Sequence, residues 1–243
     1  MVLLTDFSDV IAHGITGFGE IVEASYGIPA EVTFARFLHN EALVSLWWDV
    51  CRGETAWDYY WIQFVSDRVY QEEAIRAMGR EIAGDELGYA FIKNSRNSIP
   101  GTFELYTRIK SHPAHSGRPS TYGRLKFSEQ REFGIPRVIV VSDQADEVIL
   151  DVMSWHRDFF SIVEKVFWSA EMGCVKRDPD FFNQVINYLD VSLDDVIYID
   201  DNPSNLVAAE IHKIFNVIHF TDVSELQDKL ETEYSFQFFE PNP

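Results

Sequence analysis

Cysteine is almost absent: Cys51 and Cys174 are the only two in 243 residues. Two thiols so far apart in sequence cannot make a disulfide framework or a metal knuckle, and a reducing, cytoplasmic setting suits them best. Cations are scarce as well. Lys and Arg together number 20 against 39 Asp and Glu, for a formal net charge of −19. A surface that negative repels polyanions, so neither nucleic acid nor an anionic membrane is an expected partner. A phosphate-bearing ligand meets the same unfavourable field and needs a local cation or metal to offset it. No apolar stretch approaches the ~18 residues of a membrane span. No basic segment precedes the short apolar run at 2–4, so an obvious secretory signal is not expected either. The chain contains no internal repeat.

What is present is enough for a substantial core. Hydrophobic residues make up 46% of the chain and aromatics 14%, which excludes disorder as the default. The length suits one large domain, or a core of about 150 residues with a smaller second unit. A first strand is expected at 2–5, ending on Asp6. From about 15 to 91 the pattern changes to successive helices with no strand candidate. Phe34, Phe37, Leu38, Leu46, Trp47 and Val50 approximate one helical face, and Trp57, Tyr60, Trp61, Phe64 and Val65 another, entered through Gly53. A helix is expected at 102–110. Residues 111–135 follow, rich in Pro, Gly, Ser and basic side chains, and read as a loop insertion of unusual length.

Strand and helix then alternate. Strands are expected at 137–141, 165–168, 196–199 and 217–220, and helices at 144–156, 179–189, 203–213 and 224–230. The helix at 179 has Asp178 as its expected N-cap and Pro179 in its first turn. Such alternation implies an α/β fold: a parallel sheet covered on both faces, with ligands bound beyond the carboxyl ends of the strands. At those ends stand Asp6-Phe7-Ser8-Asp9, Ser142-Asp143 and Asp200-Asp201-Asn202, with Lys176 in a turn before a helix. Any one of these is ordinary, because Asp, Ser and Asn commonly cap the next helix. Asp143 and Asp146 read equally well as helix-start residues. Adjacent carboxylates are less ordinary, because crowding them costs energy unless a cation neutralises them.

Together the segments LLTDFSDVI, VIVVSD, GCVKRDP and YIDDNPSNLVAAE, in this order, closely resemble the haloacid dehalogenase-like hydrolases, in particular their helical-cap (C1-type) branch. The resemblance extends over the chain outside 111–135. It implies a Rossmann-like core formed by 1–14 and 92–243 and an all-helical cap inserted at 15–91. It implies Asp6 as the nucleophile that forms an aspartyl-phosphate. It also implies a Mg²⁺ ion held by Asp6, the Ser8 carbonyl and Asp201, with Asp200 in the first or second shell. Ser142, Lys176 and Asp143 are the implied phosphate-binding groups, Ser142 and Lys176 with a part in catalysis. The activity so implied is Mg²⁺-dependent hydrolysis of a small phosphorylated metabolite, with a sugar phosphate as the favoured example.

Two positions depart from the pattern. Arg177 stands where the family often has Pro. Ser8 stands where many of these phosphatases carry an Asp that protonates the leaving oxygen, which a serine hydroxyl cannot do near neutral pH. Two further activities therefore stay open: a catalytically weak binding or regulatory protein, and a haloacid dehalogenase, which needs no leaving-group proton but has no evident use for Asp200 and Asp201. The cap aromatics Trp47, Trp48, Trp57, Tyr59, Tyr60 and Trp61 read mainly as the core of the cap itself. The 111–135 insertion is expected at the amino ends of the strands, as an oligomerisation or partner surface or a plain loop, which leaves a homo-oligomer open.

Overall fold

A computed structural model describes residues 1–111, 135–234 and 236. Most of the 111–135 insertion thus lies outside the described residues. Five strands, β1 (Val2–Thr5), β2 (Arg137–Ser142), β3 (Lys165–Trp168), β4 (Val196–Asp200) and β5 (Asn216–His219), form one sheet in the order β3-β2-β1-β4-β5. Every neighbouring pair is parallel. All four residues of β1 are buried, as are all five of β4, which is why these segments read as unbroken apolar runs.

Side chains of a strand alternate between the two faces of the sheet, and each face has its own apolar cluster. On one side Leu3, Val138, Val140, Ile197 and Ile199 pack with helices α7 (Thr102–Ser111), α8 (Asp146–Trp155), α9 (Arg157–Phe160) and α13 (Val223–Tyr234). On the other, Val2, Leu4, Ile139, Val141, Val196 and Tyr198 pack with α11 (Pro179–Tyr188) and α12 (Pro203–Ile211). The short α10 (Ser169–Met172) follows β3 directly.

Between β1 and α7 the described chain is helical: α1 (Phe18–Tyr26), α2 (Ala30–Leu38), α3 (Glu41–Cys51), α4 (Trp57–Val65), α5 (Arg68–Met78) and α6 (Gly84–Asn94). The expected segment boundary at 91/92 falls inside α6. The interior of this helical segment is aromatic. Phe18, Phe37, Trp47, Trp57, Tyr60, Trp61, Phe64 and Phe91 meet edge-to-face or tilted, which suits the ring quadrupoles. Two glycines let α6 lie against α4. A Cβ on Gly84 would sit 2.8 Å from the Trp61 carbonyl carbon, and one on Gly88 2.8 Å from the Trp57 indole nitrogen. Of the aromatics named from sequence, Tyr59 is exposed and Trp48 half-buried. The expected face running from Phe34 to Val50 is in fact two helices. Asn40 caps α3 by accepting from the Leu43 N–H at 3.0 Å, so the register restarts and Leu38 is left exposed.

The described flanks of the insertion are Ser111, the last residue of α7, and the approach to Arg137, which pairs with Val2 at the amino end of the sheet. Asp6 lies at the other end. Replacing 112–134 by a short linker is therefore expected to leave kcat within about twofold in a variant that melts cooperatively. A selective loss of kcat would show that the insertion reaches the carboxyl ends of the strands.

Candidate active site

The three central strands bring the site together. β1 lies between β2 and β4, so Asp6, Ser142 and Asp200 end adjacent strands on one edge of the sheet. The order reverses direction at β1, which opens a crevice beyond the strand ends. The ladder continues one residue past β1, since the Asp6 N–H donates to the Ile199 carbonyl at 2.9 Å. This holds the Asp6 backbone rigid. Asp6 is only 5% exposed, and its Oδ1 accepts from the Phe7 N–H at 2.6 Å.

Lys176, in the loop between α10 and α11, is the fully buried cation of the site. Its Nζ lies 2.6 Å from Asp6 Oδ2 and 2.7 Å from Asp200 Oδ2, and its backbone N–H donates to Asp143 Oδ1 at 2.9 Å. Burial by itself would lower the pKa of such an ammonium, but Asp200, Asp6 and Asp143 outweigh it and hold the lysine charged.

Asp200 is already committed. Besides Lys176 it accepts from the Tyr198 hydroxyl, from the Asn202 N–H at 2.8 Å, and from Asn205 Nδ2 at 3.1 and 3.2 Å. Its carboxylate orients Lys176 and has little capacity left for another ligand. Asp201 is different. It is half-buried, and its carbonyl, not its carboxylate, accepts from His219 Nε2 at 2.9 Å. One carboxylate oxygen from each of Asp6, Asp200 and Asp201 lies within 4.8 Å of the others.

This arrangement is short of positive charge. The Lys176 ammonium pairs with Asp6 and Asp200, and Asp143 and Asp201 stand close by. Burial, with repulsion from Asp200 and Asp201, pushes the Asp6 carboxyl well above the usual range despite Lys176. Burial, then Asp200 and Asp9, push Asp201 up to about 7, and burial raises Asp143 to about 6. A divalent cation beside Asp6 and Asp201 would relieve that excess, and oxygen ligands of this kind suit Mg²⁺. Three buried polar atoms at this site lack a hydrogen-bond partner: Ser142 Oγ, Asp143 Oδ2 and Asn205 Oδ1. A buried hydroxyl left unpaired at a strand end is costly unless a ligand oxygen completes it.

Asp143 is not a helix-start residue. Ala145 occupies the N-cap of α8 and Asp146 opens that helix at the surface, while the Asp143 carboxylate faces the lysine loop. Asp178 stands at the N-cap of α11, but its side chain makes no cap bond there. It accepts from the Val175 N–H at 2.9 Å and pairs with Arg52 of the helical segment at 2.8 and 3.0 Å. Arg177 places its guanidinium 4.6 Å from the centre of the Trp48 ring. Three consecutive residues of the lysine loop thus meet the strand ends and the helical segment together.

Ser8 is half-buried, and its Oγ accepts from Gln144 Nε2 at 3.1 Å. Asp9 adopts a left-handed backbone (φ 58°), and its carboxylate accepts the N–H groups of Gly14 at 2.9 Å and Thr16 at 3.2 Å. Its carboxylate is thus engaged within its own loop. A cleft of about 520 Å³ beside Asp201 is lined by Asp9, His13, Thr16, Phe220 and Asp222, among others.

No protein-family model and no curated protein sequence matches the chain. Solved structures do. A predicted HAD-like family hydrolase from Porphyromonas gingivalis superposes over 94% of this chain and 96% of its own, with a TM-score of 0.56 at 17% identity. The HAD-hydrolase YfnB from Bacillus subtilis, bound to magnesium, covers 95% and 98% with a TM-score of 0.58 at 15% identity. The fold is that of the haloacid dehalogenase-like hydrolases. The L-2-haloacid dehalogenase from Xanthobacter autotrophicus shares it over 96% of this chain and 83% of its own, with a TM-score of 0.56 at 14% identity. Two of these descriptions name only a hydrolase and one a dehalogenase, so the fold does not choose the reaction, which has to be argued from the site.

Proposed function

We propose that this chain is a Mg²⁺-dependent phosphatase of a small phosphorylated metabolite. The observation that carries the reading is the uncompensated carboxylate cluster: Asp6 and Asp201 beside one committed lysine, with an unpaired Ser142 hydroxyl at the next strand end. In this reading Asp6, Asp201 and the Ser8 carbonyl would hold the metal, and the B. subtilis protein of the same fold is itself bound to magnesium. Bound there, Mg²⁺ would supply positive charge to offset the phosphoryl oxygens and the acidic cluster.

The chain's own groups do the rest. An Asp6 carboxylate oxygen attacks phosphorus, the ester P–O bond breaks, and the leaving oxygen takes the electron pair. Ser142 donates to a phosphoryl oxygen, and Lys176, held by Asp200, neutralises charge on the phosphoryl group and on Asp6. Water then attacks phosphorus, the Asp6–phosphorus bond breaks, and inorganic phosphate departs. The favoured example of the substrate is a sugar phosphate; the cleft beside Asp201 shares that carboxylate with the site, while Asp6, Ser142 and Lys176 do not line it. Dehalogenation, a metal-free displacement at carbon, leaves the cluster of Asp6, Asp200 and Asp201 without a use. Ser8 supports one other reading, a binding or regulatory protein that retains the pocket and turns over weakly.

Release of inorganic phosphate across a panel of phosphorylated metabolites, with and without Mg²⁺, tests the proposal. Release that survives chelation, or its absence from every compound, would sink it. The metal has a separate readout in stability. Raised carboxyl pKa values favour the metal-free fold most below the unfolded carboxylate range. That contribution is lost as pH rises through about 6 for Asp143 and about 7 for Asp201. Mg²⁺ competes with the same protons, so its stabilisation should be greater at pH 8 than at pH 6. At a concentration about a hundredfold above its Kd it adds about 2.7 kcal/mol, or roughly 5–10 °C in Tm for a chain of this size. An unchanged melting midpoint in millimolar Mg²⁺ at pH 8 would remove the metal from the site.

A further inference from the structure

The residue that substitutes for the missing acid is not isolated. Gln144 follows Ser142 and Asp143 in the loop after β2 and is 1% exposed. Its backbone N–H donates to Ser169 Oγ at 2.9 Å, and the same hydroxyl donates back to the Gln144 carbonyl at 3.4 Å, so the residue is anchored to the end of β3. From there its side-chain amide reaches across the sheet edge to Ser8 Oγ. The loop after β1 also closes tightly here: a Cβ on Gly14 would lie 2.8 Å from Ser8 Cβ and 3.3 Å from its Oγ. Ser8 thus contacts both Gly14 and Gln144 and remains half-buried.

We propose that Gln144 is a positioning residue that occupies an acceptor position of the Ser8 hydroxyl from the protein side, directing the Ser8 proton to an oxygen of the phosphorylated substrate. The proposal rests on the phosphoryl-transfer reading and names its substrate class. A neutral amide–hydroxyl pair supplies a hydrogen bond but no transferable proton. It serves substrates whose leaving group departs as a stable anion, namely acyl, aryl and anomeric phosphates. A carboxylate in the place of Ser8 would accept from Gln144, which favours its ionised form and weakens it as an acid.

Gln144→Met keeps length and approximate volume and removes the amide, while Ser8→Ala removes the hydroxyl. Each should lower kcat/KM on an aryl phosphate about tenfold, mainly through kcat. The double variant should lose no more than either single one, because both remove the same interaction. Gln144→Asn, which withdraws the amide by one methylene, should be as impaired as Gln144→Met and serves if the latter does not fold. Calorimetric binding of orthovanadate at saturating Mg²⁺ should show the same non-additive pattern independently of turnover. Losses that multiply in the double variant would overturn the proposal, and so would a Gln144→Met protein equal to wild type beside an impaired Ser8→Ala. In either case the phosphatase reading stands. A wild-type protein that neither hydrolyses phosphate esters nor binds vanadate would overturn that reading and this inference with it.

Discussion

Asp6→Asn is expected to lower phosphatase turnover by roughly 10⁴-fold or more while leaving the protein folded. The amide is almost isosteric with the carboxylate, so the packing against the strand end is kept. The amide oxygen of the variant can still accept from the Phe7 N–H, and Lys176 keeps its contact with Asp200. What disappears is the nucleophilic oxygen and one negative charge. The stability consequence has a definite sign. The Asp6 carboxyl is raised in the fold, by burial first and by Asp200 and Asp201 against Lys176. Its contribution is therefore present below the unfolded carboxylate range and lost as pH rises through the raised value. At pH 8 without metal, the variant should melt no lower than wild type. With Mg²⁺ present it should lose much of the metal-induced gain in Tm. Single-turnover phosphate release, with melting curves at both metal conditions, distinguishes these effects. Wild-type rates in the variant would assign the nucleophile elsewhere.

Discrimination by leaving group is the second large effect. General acid assistance is typically worth ~10²–10⁴-fold, and no carboxylate stands at position 8 to supply it. Asp9 is engaged with Gly14 and Thr16 within its own loop. Alkyl phosphates, whose alkoxides need a proton to depart, should therefore react about 10²-fold or more slowly than aryl or acyl phosphates. The Ser8→Asp variant should narrow that gap by raising rates on the poorest leaving groups. Because Gln144 would favour the ionised form of the new carboxylate, the gain should be greater in the Ser8→Asp, Gln144→Met double variant. The measurement is kcat/KM over a leaving-group series at fixed pH and Mg²⁺. Equal rates for alkyl and aryl esters in the wild type, with no gain in either variant, would mean that another group supplies the proton.

Much of this architecture is legible in the sequence. β1, β2 and β4 are short runs of buried aliphatic residues, and Asp6, Ser142 and Asp200 stand at or just beyond their ends. Strand alternation and parallel topology then oblige those ends to share one edge. Tyr198 was also within reach, since it lies two residues before Asp200 on the same face of β4, where its hydroxyl meets that carboxylate. Composition foretold the electrostatic problem too, because a chain with 39 acidic residues against 20 basic ones has few cations to place near a phosphate.

Other features depended on contacts between distant segments. Arg52 and Asp178 are 126 positions apart, and nothing local to either marks them as partners. Ser8 and Gln144 likewise meet across 136 positions. Asp143 and Asp178 both looked like helix caps, because a carboxylate before a helix is satisfied locally in most proteins. Here Asp143 accepts instead from the backbone N–H of Lys176, and Asp178 pairs with the Arg52 guanidinium, partners brought up only by the folded chain. The sequence by itself determined which residues the strand ends present, because local propensity and binary patterning place them there. Only the tertiary structure decided how the four carboxylates divide their roles. Asp200 is saturated by Lys176, Tyr198, Asn202 and Asn205, and Asp201 is not, a difference set by which donors the packing of β4, α12 and the lysine loop brings within hydrogen-bonding distance.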